Sequence, residues 1–178
     1  MPYRKNLYCF YKQTPELHDK VAAIKEIAVK NGFQIVEDVR KADIIASIGG
    51  DNAFLQATRK TNFKEDCLYI GVSTDKPGFY TDFTLSEIDN MIDAMKNEQV
   101  EVRKYSTIEV KVDDEKAYHC LNECSIRSNV IKTFVIDVFI DDLHFETFRG
   151  DGIIVCTPTG STGYNKSVRG ALVDPRLP

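Results

Sequence analysis

The sequence predicts two architectures in series: an α/β domain with a parallel sheet over residues 1–100, then an incomplete all-β domain over residues 101–178. Apolar, strand-like runs alternate with helical patterns through the first hundred residues, as units of a parallel sheet with crossover helices require. Near Glu101 the rhythm changes to period two, with Ile108, Val110 and Val112 set between Glu109 and Lys111. The chain then stops at Asp174-Pro175-Arg176-Leu177-Pro178, where a β-rich domain is expected to leave a strand edge unpaired, so truncation is the expectation.

Taken in order, residues 7–11 form a short apolar and aromatic strand. Thr14-Pro15-Glu16 supplies an N-cap, a first-turn proline and an acid at the positive end of a helix dipole. Leu17, Val21, Ile24 and Ala28 then fall on one helical face, and Asn31-Gly32 gives a left-handed stop. A strand over 33–36 follows. Residues 43–48 are nearly continuously apolar and read as a strand buried on both faces. They run into Gly49-Gly50-Asp51-Asn52 and a helix over 54–60. Residues 68–72 are another apolar strand, and Thr84-Leu85-Ser86-Glu87 is a capping box opening a helix to about Met95. In the second half, 133–140 and 143–148 flank Asp141-Asp142 as a hairpin, 153–156 is a strand, and 161–168 a helix.

Composition limits the function. With 178 residues, 43% of them hydrophobic, the chain can bury a substantial core. A net charge of −4 provides no global basic field for nucleic acid, and no apolar run approaches a membrane span. Met1-Pro2-Tyr3-Arg4-Lys5 does not begin a secretory signal. Five cysteines, without the paired spacing of zinc sites, read as reduced thiols of a cytoplasmic protein.

Two segments carry the chemistry. Gly49-Gly50-Asp51-Asn52 sits between a buried strand and a helix, where a sheet of this class binds ligands and helix N–H groups are open. The glycines permit close backbone approach by a phosphate, and Asp51 offers a carboxylate for a proton or a metal. The same residues are also ordinary turn chemistry. Thr157-Pro158-Thr159-Gly160-Ser161-Thr162-Gly163-Tyr164 gathers hydroxyls, glycines and an aromatic after a strand, suited to a phosphate or sugar or to a plain strand-to-helix turn. It lacks the Walker A pattern. Leu121-Asn122-Glu123 offers donors and acceptors for a ribose or carboxamide, and Gly150-Asp151-Gly152 a second carboxylate; each is also compatible with a simple loop. Phe79 and Tyr80 are adjacent loop aromatics. His18, His119 and His144 have no serine or cysteine partner at motif spacing, so a hydrolase finds little support.

In this order, Gly49-Gly50-Asp51, Gly78-Phe79-Tyr80, Leu121-Asn122-Glu123, Phe148-Arg149-Gly150-Asp151-Gly152 and residues 157–164 resemble the motif set of the NAD kinases, particularly short enzymes of Gram-positive Firmicutes. The resemblance implies a Rossmann-like domain of the phosphofructokinase-like superfamily. It also implies transfer of a phosphoryl group from ATP or polyphosphate to the adenosine ribose 2′-hydroxyl of NAD, a Mg²⁺ or Mn²⁺ ion, and a homodimer or homotetramer where the second domain is complete. By the same resemblance Asp51 is the catalytic carboxylate. Asp51, Asn52, Phe79, Tyr80, Asn122, Glu123, Asp151, Thr159, Ser161, Thr162, Gly163, Tyr164 and Ser167 then line the NAD site. Gly49, Gly50, Asn52 and Arg149 fall to the phosphate donor. The family's usual GGDGT reads GGDNA here, and its TPTGSTAY reads TPTGSTGY. Asn52 is expected to preserve the turn by tolerating a left-handed backbone. Asn52, Ala53 and the chain's end ahead of the remaining strands of the family's second domain motivate a non-catalytic NAD-binding remnant as a second reading. A lipid or sugar kinase sharing the GGD element is a third, opposed by the LNE and TPTGST runs.

Overall fold

A computed structural model describes residues 4–130 and 132–177; Met1, Pro2 and Tyr3 of the sequence reading, and Pro178, lie outside them. The chain divides into two compact units, Met1–Arg103 and Lys104–Pro178. In the first, strand β1 (Asn6–Tyr11) leads to helix α1 (Pro15–Lys30) and the short strand β2 (Gln34–Ile35). Strand β3 (Ile44–Ile48), helix α2 (Asp51–Lys60), strand β4 (Leu68–Ser73), strand β5 (Phe83–Thr84) and helix α3 (Ile88–Lys96) follow. All neighbouring strands pair in parallel, in the order β2-β1-β3-β4-β5. The second unit is antiparallel throughout. It pairs β6 (Ile108–Val110) with β7 (Tyr118–Cys120), β8 (Glu123–Arg127) with β11 (Gly152–Cys156), and β9 (Phe134–Ile140) with β10 (Leu143–Gly150), before a last helical turn α4 (Tyr164–Ser167).

Strand β3 explains why the first unit is layered. Every residue of Ile44-Ile45-Ala46-Ser47-Ile48 is buried. Ile44, Ala46 and Ile48 enter one core with Val21, Ile24 and Ala28 of α1 and Ile88, Met91 and Ile92 of α3. Ile45, on the alternate face, packs with Ala42, Ala57 and Cys67. One strand therefore serves two hydrophobic layers, and its loss would open both. The direction of connection reverses between β1 and β3, since β2 lies outside β1 while β4 and β5 lie outside β3. The carboxyl end of β3, where Gly49 and Gly50 follow, stands at this switch point, which in such sheets is where ligands bind.

Several local expectations change. Helix α2 starts at Asp51, three residues earlier than its apolar pattern suggested, because Gly50 is the residue flanking its first turn. The left-handed positions are Gly49 (φ 134°) and Gly50 (φ 83°); Asn52 is an ordinary helical residue, so its tolerance of that backbone is not used. Strand β2 is two residues long rather than four. The helix expected over 161–168 is instead a 3₁₀ turn, Thr159–Thr162, and the separate helix α4, divided at Gly163. Strands β5 and β8 were not legible in the pattern: the first has two residues, and the second alternates over only five, with Cys124 and Ile126 its two apolar members. The hairpin turn over Asp141-Asp142 stands, with Asp141 supplying the positive φ (52°) that glycine usually provides.

Two features of this unit make testable statements. Gly71 of β4 has no room for a side chain, since a Cβ there would overlap the Tyr80 carbonyl oxygen and stand 2.9 Å from Thr81 Cα. Gly71→Ala should destabilise the chain by about 1–3 kcal/mol through forced backbone movement, read from the midpoint of chemical denaturation. The capping box is formed as expected: the Glu87 carboxylate accepts from the Thr84 hydroxyl at 2.7 Å and from the Thr84 N–H at 2.9 Å, opening a 3₁₀ turn ahead of α3. These two bonds, the hydroxyl first, hold the Glu87 carboxyl below its ordinary 4.5. A depressed folded-state value contributes stability that is complete above the unfolded pKa and is lost as pH falls through the folded one. Thr84→Ala should therefore lower the denaturation midpoint at pH 7 and lower it less at pH 3.

Candidate active site

The first unit gathers its motifs around one carboxylate. Asp51 is the first residue of α2, placed there by the turn that Gly49 and Gly50 allow. Gly49 is fixed twice over, by its φ and by Ala53, whose Cβ would lie 3.2 Å from a Cβ at position 49. The N–H groups of Gly49 and Gly50 both donate to the Val72 carbonyl, at 3.0 and 3.3 Å, so they tie the turn to β4. The donors left open at this end are the N–H groups of Asp51 and Asn52, the first two of the helix, which have no intrahelical acceptor. They face the same end as the positive pole of the helix dipole, where an anion is stabilised. Asn52 itself is exposed.

The Asp51 carboxylate is not free in its orientation. Oδ1 accepts from the Tyr80 N–H and Oδ2 from the Phe79 N–H, each at 2.8 Å. Two motifs separated by 28 residues in sequence are thus joined through one side chain. Gly78 is required by the same contact, because a Cβ at that position would overlap the carboxylate. The two aromatics have different duties. Tyr80 is buried, stacked flat on Phe54 with ring centroids 5.1 Å apart, whereas Phe79 remains 43% exposed and meets Tyr80 edge to face. Phe79 is the ring available to a ligand; Tyr80 anchors the loop.

The second unit assembles the other motifs around the carbonyl oxygens of Leu121 and Asn122. The Thr157 N–H donates to Asn122 O at 2.8 Å, and the Thr157 hydroxyl lies 2.6 Å from Leu121 O. That hydroxyl also meets Thr159 Oγ1 at 2.9 Å and accepts from the Gly160 N–H at 3.0 Å. Gly160 packs so closely that a Cβ would overlap the Asn122 carbonyl. The Ser161 hydroxyl bridges Pro158 O and the Val173 backbone. Thr159 and Ser161 are buried, and their hydroxyls are engaged inside the loop; Thr162, Gly163, Tyr164 and Ser167 are the exposed members of the run.

Glu123 is the unusual group here. It opens β8 opposite Cys156, and its Oε2 is buried with no hydrogen-bond partner among the described residues. Burial pushes its carboxyl above the ordinary range. A Cβ at Gly163 would stand 3.5 Å from that oxygen and 3.9 Å from Asn122 Nδ2, so an alanine there would partly cover the pair, and glycine leaves it more open. A buried acceptor without a donor fits a ligand that brings one. Asp151 and Tyr164 line a groove of about 670 Å³ in this unit, together with Ile126, Asn165 and Val168. Arg149 is exposed near the end of β10. Among the described residues no group of three or more His, Cys, Asp or Glu side chains could hold a metal ion, so the side chains alone do not fit a metal cage, and no helix is long and apolar enough to cross a membrane. The sequence reading missed three structural participants: Thr81, Gly71 and Phe54. The first follows the Gly78-Phe79-Tyr80 motif directly, which was the available signal.

Residues 103–178 match the family model of the ATP-NAD kinase C-terminal domain. The chain is 66% identical over 175 residues to NAD kinase 2 of Halalkalibacterium halodurans, covering 98% of this chain and 66% of that protein. It is 58% identical over 176 residues to NAD kinase 2 of Bacillus subtilis, with the same coverage of each chain. With NAD kinase 2 of Oceanobacillus iheyensis it shares 51% identity over 178 residues, covering 99% of this chain and 67% of the relative. In fold it resembles a yeast NADH kinase solved with NADH (TM-score 0.82, 20% identity, all of this chain and 64% of that one). An Archaeoglobus fulgidus NAD kinase solved with ATP is also similar (TM-score 0.76, 23% identity, 97% of this chain and 68% of that one). The chain spans about two thirds of the length of the curated relatives it matches. With its ordered motifs and this degree of identity to relatives from Firmicutes, the chain belongs to the NAD kinase family.

Proposed function

We propose that the chain transfers the terminal phosphoryl group of ATP to the 2′-hydroxyl of the adenosine ribose of NAD, forming NADP and ADP. The observation that carries this is the Asp51 carboxylate, held by two backbone N–H groups at the mouth of the sheet's switch point and at the start of α2. A ribose hydroxyl is a poor nucleophile, and a carboxylate within hydrogen-bond reach orients it and accepts its proton. The hydroxyl oxygen attacks the terminal phosphorus, the bond from that phosphorus to the bridging oxygen breaks, and ADP leaves with the electron pair. The proton passes to Asp51 and then to solvent. The open N–H groups at the start of α2 complement charge on the donor phosphates.

Asn122, Glu123, Asp151, Thr162, Gly163, Tyr164 and Ser167 are assigned to NAD, with the unpartnered Glu123 Oε2 accepting a ligand hydroxyl or amide. Phe79 is assigned to a base or ring of the same ligand. Thr159 and Ser161 are buried in the loop of the second unit and Tyr80 in the loop of the first, so each is assigned to holding its own loop. Gly49, Gly50, Asn52 and Arg149 stay assigned to the donor, which ATP and polyphosphate share chemically. A divalent Mg²⁺ or Mn²⁺ ion would arrive on the donor's phosphates, where it would neutralise part of their charge. Assembly as a homodimer or homotetramer and a cytoplasmic location rest on family likeness. Of the departures behind the non-catalytic reading, Asn52 and Ala53 occupy ordinary helical positions, so neither disturbs the turn that places Asp51.

Asp51→Asn keeps one acceptor for the loop but cannot take a proton. It should lower kcat for NADP formation by about 10²–10⁴-fold with the fold intact, and near-normal turnover would remove Asp51 from the general-base role. Glu123→Gln tests the second unit. A buried carboxyl with a raised pKa favours the folded state most at low pH, and that contribution fades as pH rises through the raised value. The variant should therefore unfold at higher temperature than the parent at pH 8 but not at pH 4, while NAD binding weakens in calorimetric titration.

A further inference from the structure

Resting on the phosphotransfer reading, we infer that Thr81 is a positioning residue for the Asp51 carboxylate, acting through the turn at residues 78–80. No motif of the sequence includes Thr81, and its side chain touches none of the atoms assigned to catalysis. It is nevertheless buried, at 3% exposure, and its hydroxyl accepts the Gly78 N–H. That bond closes the turn on itself and leaves the next two N–H groups, of Phe79 and Tyr80, pointing at Asp51 Oδ2 and Oδ1.

The turn is held from two further sides. Gly71 of β4 lies directly beneath it, with space for a hydrogen but none for a methyl group against Tyr80 O and Thr81 Cα. The Tyr80 ring is fixed by its flat stacking on Phe54, one turn along α2 from Asp51 itself. A carboxylate on a single-bonded stem rotates freely unless both oxygens are engaged. Two parallel N–H donors fix its plane and leave one lone pair on each oxygen for a substrate hydroxyl. Orientation matters to a general base because misplacement by about 1 Å costs about 10²-fold in rate. The arrangement thus divides the labour: Asp51 meets the substrate, and Thr81 sets the angle at which it does so.

The test uses the 178-residue chain and three variants: Thr81→Val, which keeps the shape but loses the acceptor; Thr81→Ser, which keeps the acceptor; and Asp51→Asn. In ¹⁵N–¹H spectra the Phe79 and Tyr80 amide protons should move upfield in Asp51→Asn and in Thr81→Val, and stay at their parental positions in Thr81→Ser. In initial-rate assays with NAD and ATP, Thr81→Val should lower kcat by about 10–100-fold with the KM for ATP within twofold of the parent, and Thr81→Ser should restore it. Amide resonances that ignore Thr81→Val, or a kcat that does, overturn the inference. A parent chain that forms no NADP counts against the phosphotransfer reading instead, and the amide resonances then decide the positioning role alone. Should Thr81→Val fail to fold, Thr81→Ala carries the same comparison.

Discussion

One bidentate contact organises the motifs of the first unit: the Asp51 carboxylate receiving the N–H groups of Phe79 and Tyr80. Its neighbours are shaped around it. Gly78 lacks a side chain because the carboxylate fills that space, and Gly71 lacks one because the loop bearing those N–H groups lies against β4. Phe54 presents a flat face because Tyr80 must be immobilised. Beneath these, the fully buried β3 fixes where α2 begins, and with it where Asp51 stands. The hydrophobic layers supply rigidity, and the polar contact converts it into direction.

The second unit reaches a similar end by different means. Its loop over residues 157–163 is hydroxyl-rich, yet the hydroxyls of Thr157, Thr159 and Ser161 bond within the protein. They satisfy the carbonyl oxygens of a tight turn that would otherwise be buried unpaired, a cost that exceeds the modest net gain of an ordinary hydrogen bond. The groups turned outward are few: Thr162, Gly163, Tyr164 and Ser167, beside a Glu123 carboxyl whose buried oxygen lacks a donor. A site of this kind is made largely of internal scaffolding, with a small number of atoms left for a ligand.

Much of the fold was legible in the sequence where periodicity was strong. The run over 43–48 could only be a strand covered on both faces, and Leu17, Val21, Ile24 and Ala28 could only face a core from a helix. Shortness hid β5 and β8, where two residues, or five with two apolar members, leave little pattern to read. The start of α2 was misplaced because apolar spacing reports the buried face of a helix and is silent about its first exposed turn. The motif residues of the site were legible as types. What their side chains do was not, because whether a hydroxyl serves a ligand or its own backbone depends on tertiary neighbours. Thr159 and Thr162 look alike in sequence and differ entirely in exposure.

Three of the glycines whose missing side-chain space is already occupied, Gly71, Gly78 and Gly160, carry an evolutionary consequence. Every other amino acid has a Cβ, so no single missense change at these codons is conservative; each places an atom where a backbone group or the Asp51 carboxylate already lies. Residues on the outer faces can drift one at a time. These positions can change only in company with the group they abut, so Gly78 is bound to Asp51, Gly71 to the backbone of residues 80–81, and Gly160 to the Asn122 carbonyl. Substitution at these three positions is therefore constrained in pairs, each glycine with the group that fills its side-chain space.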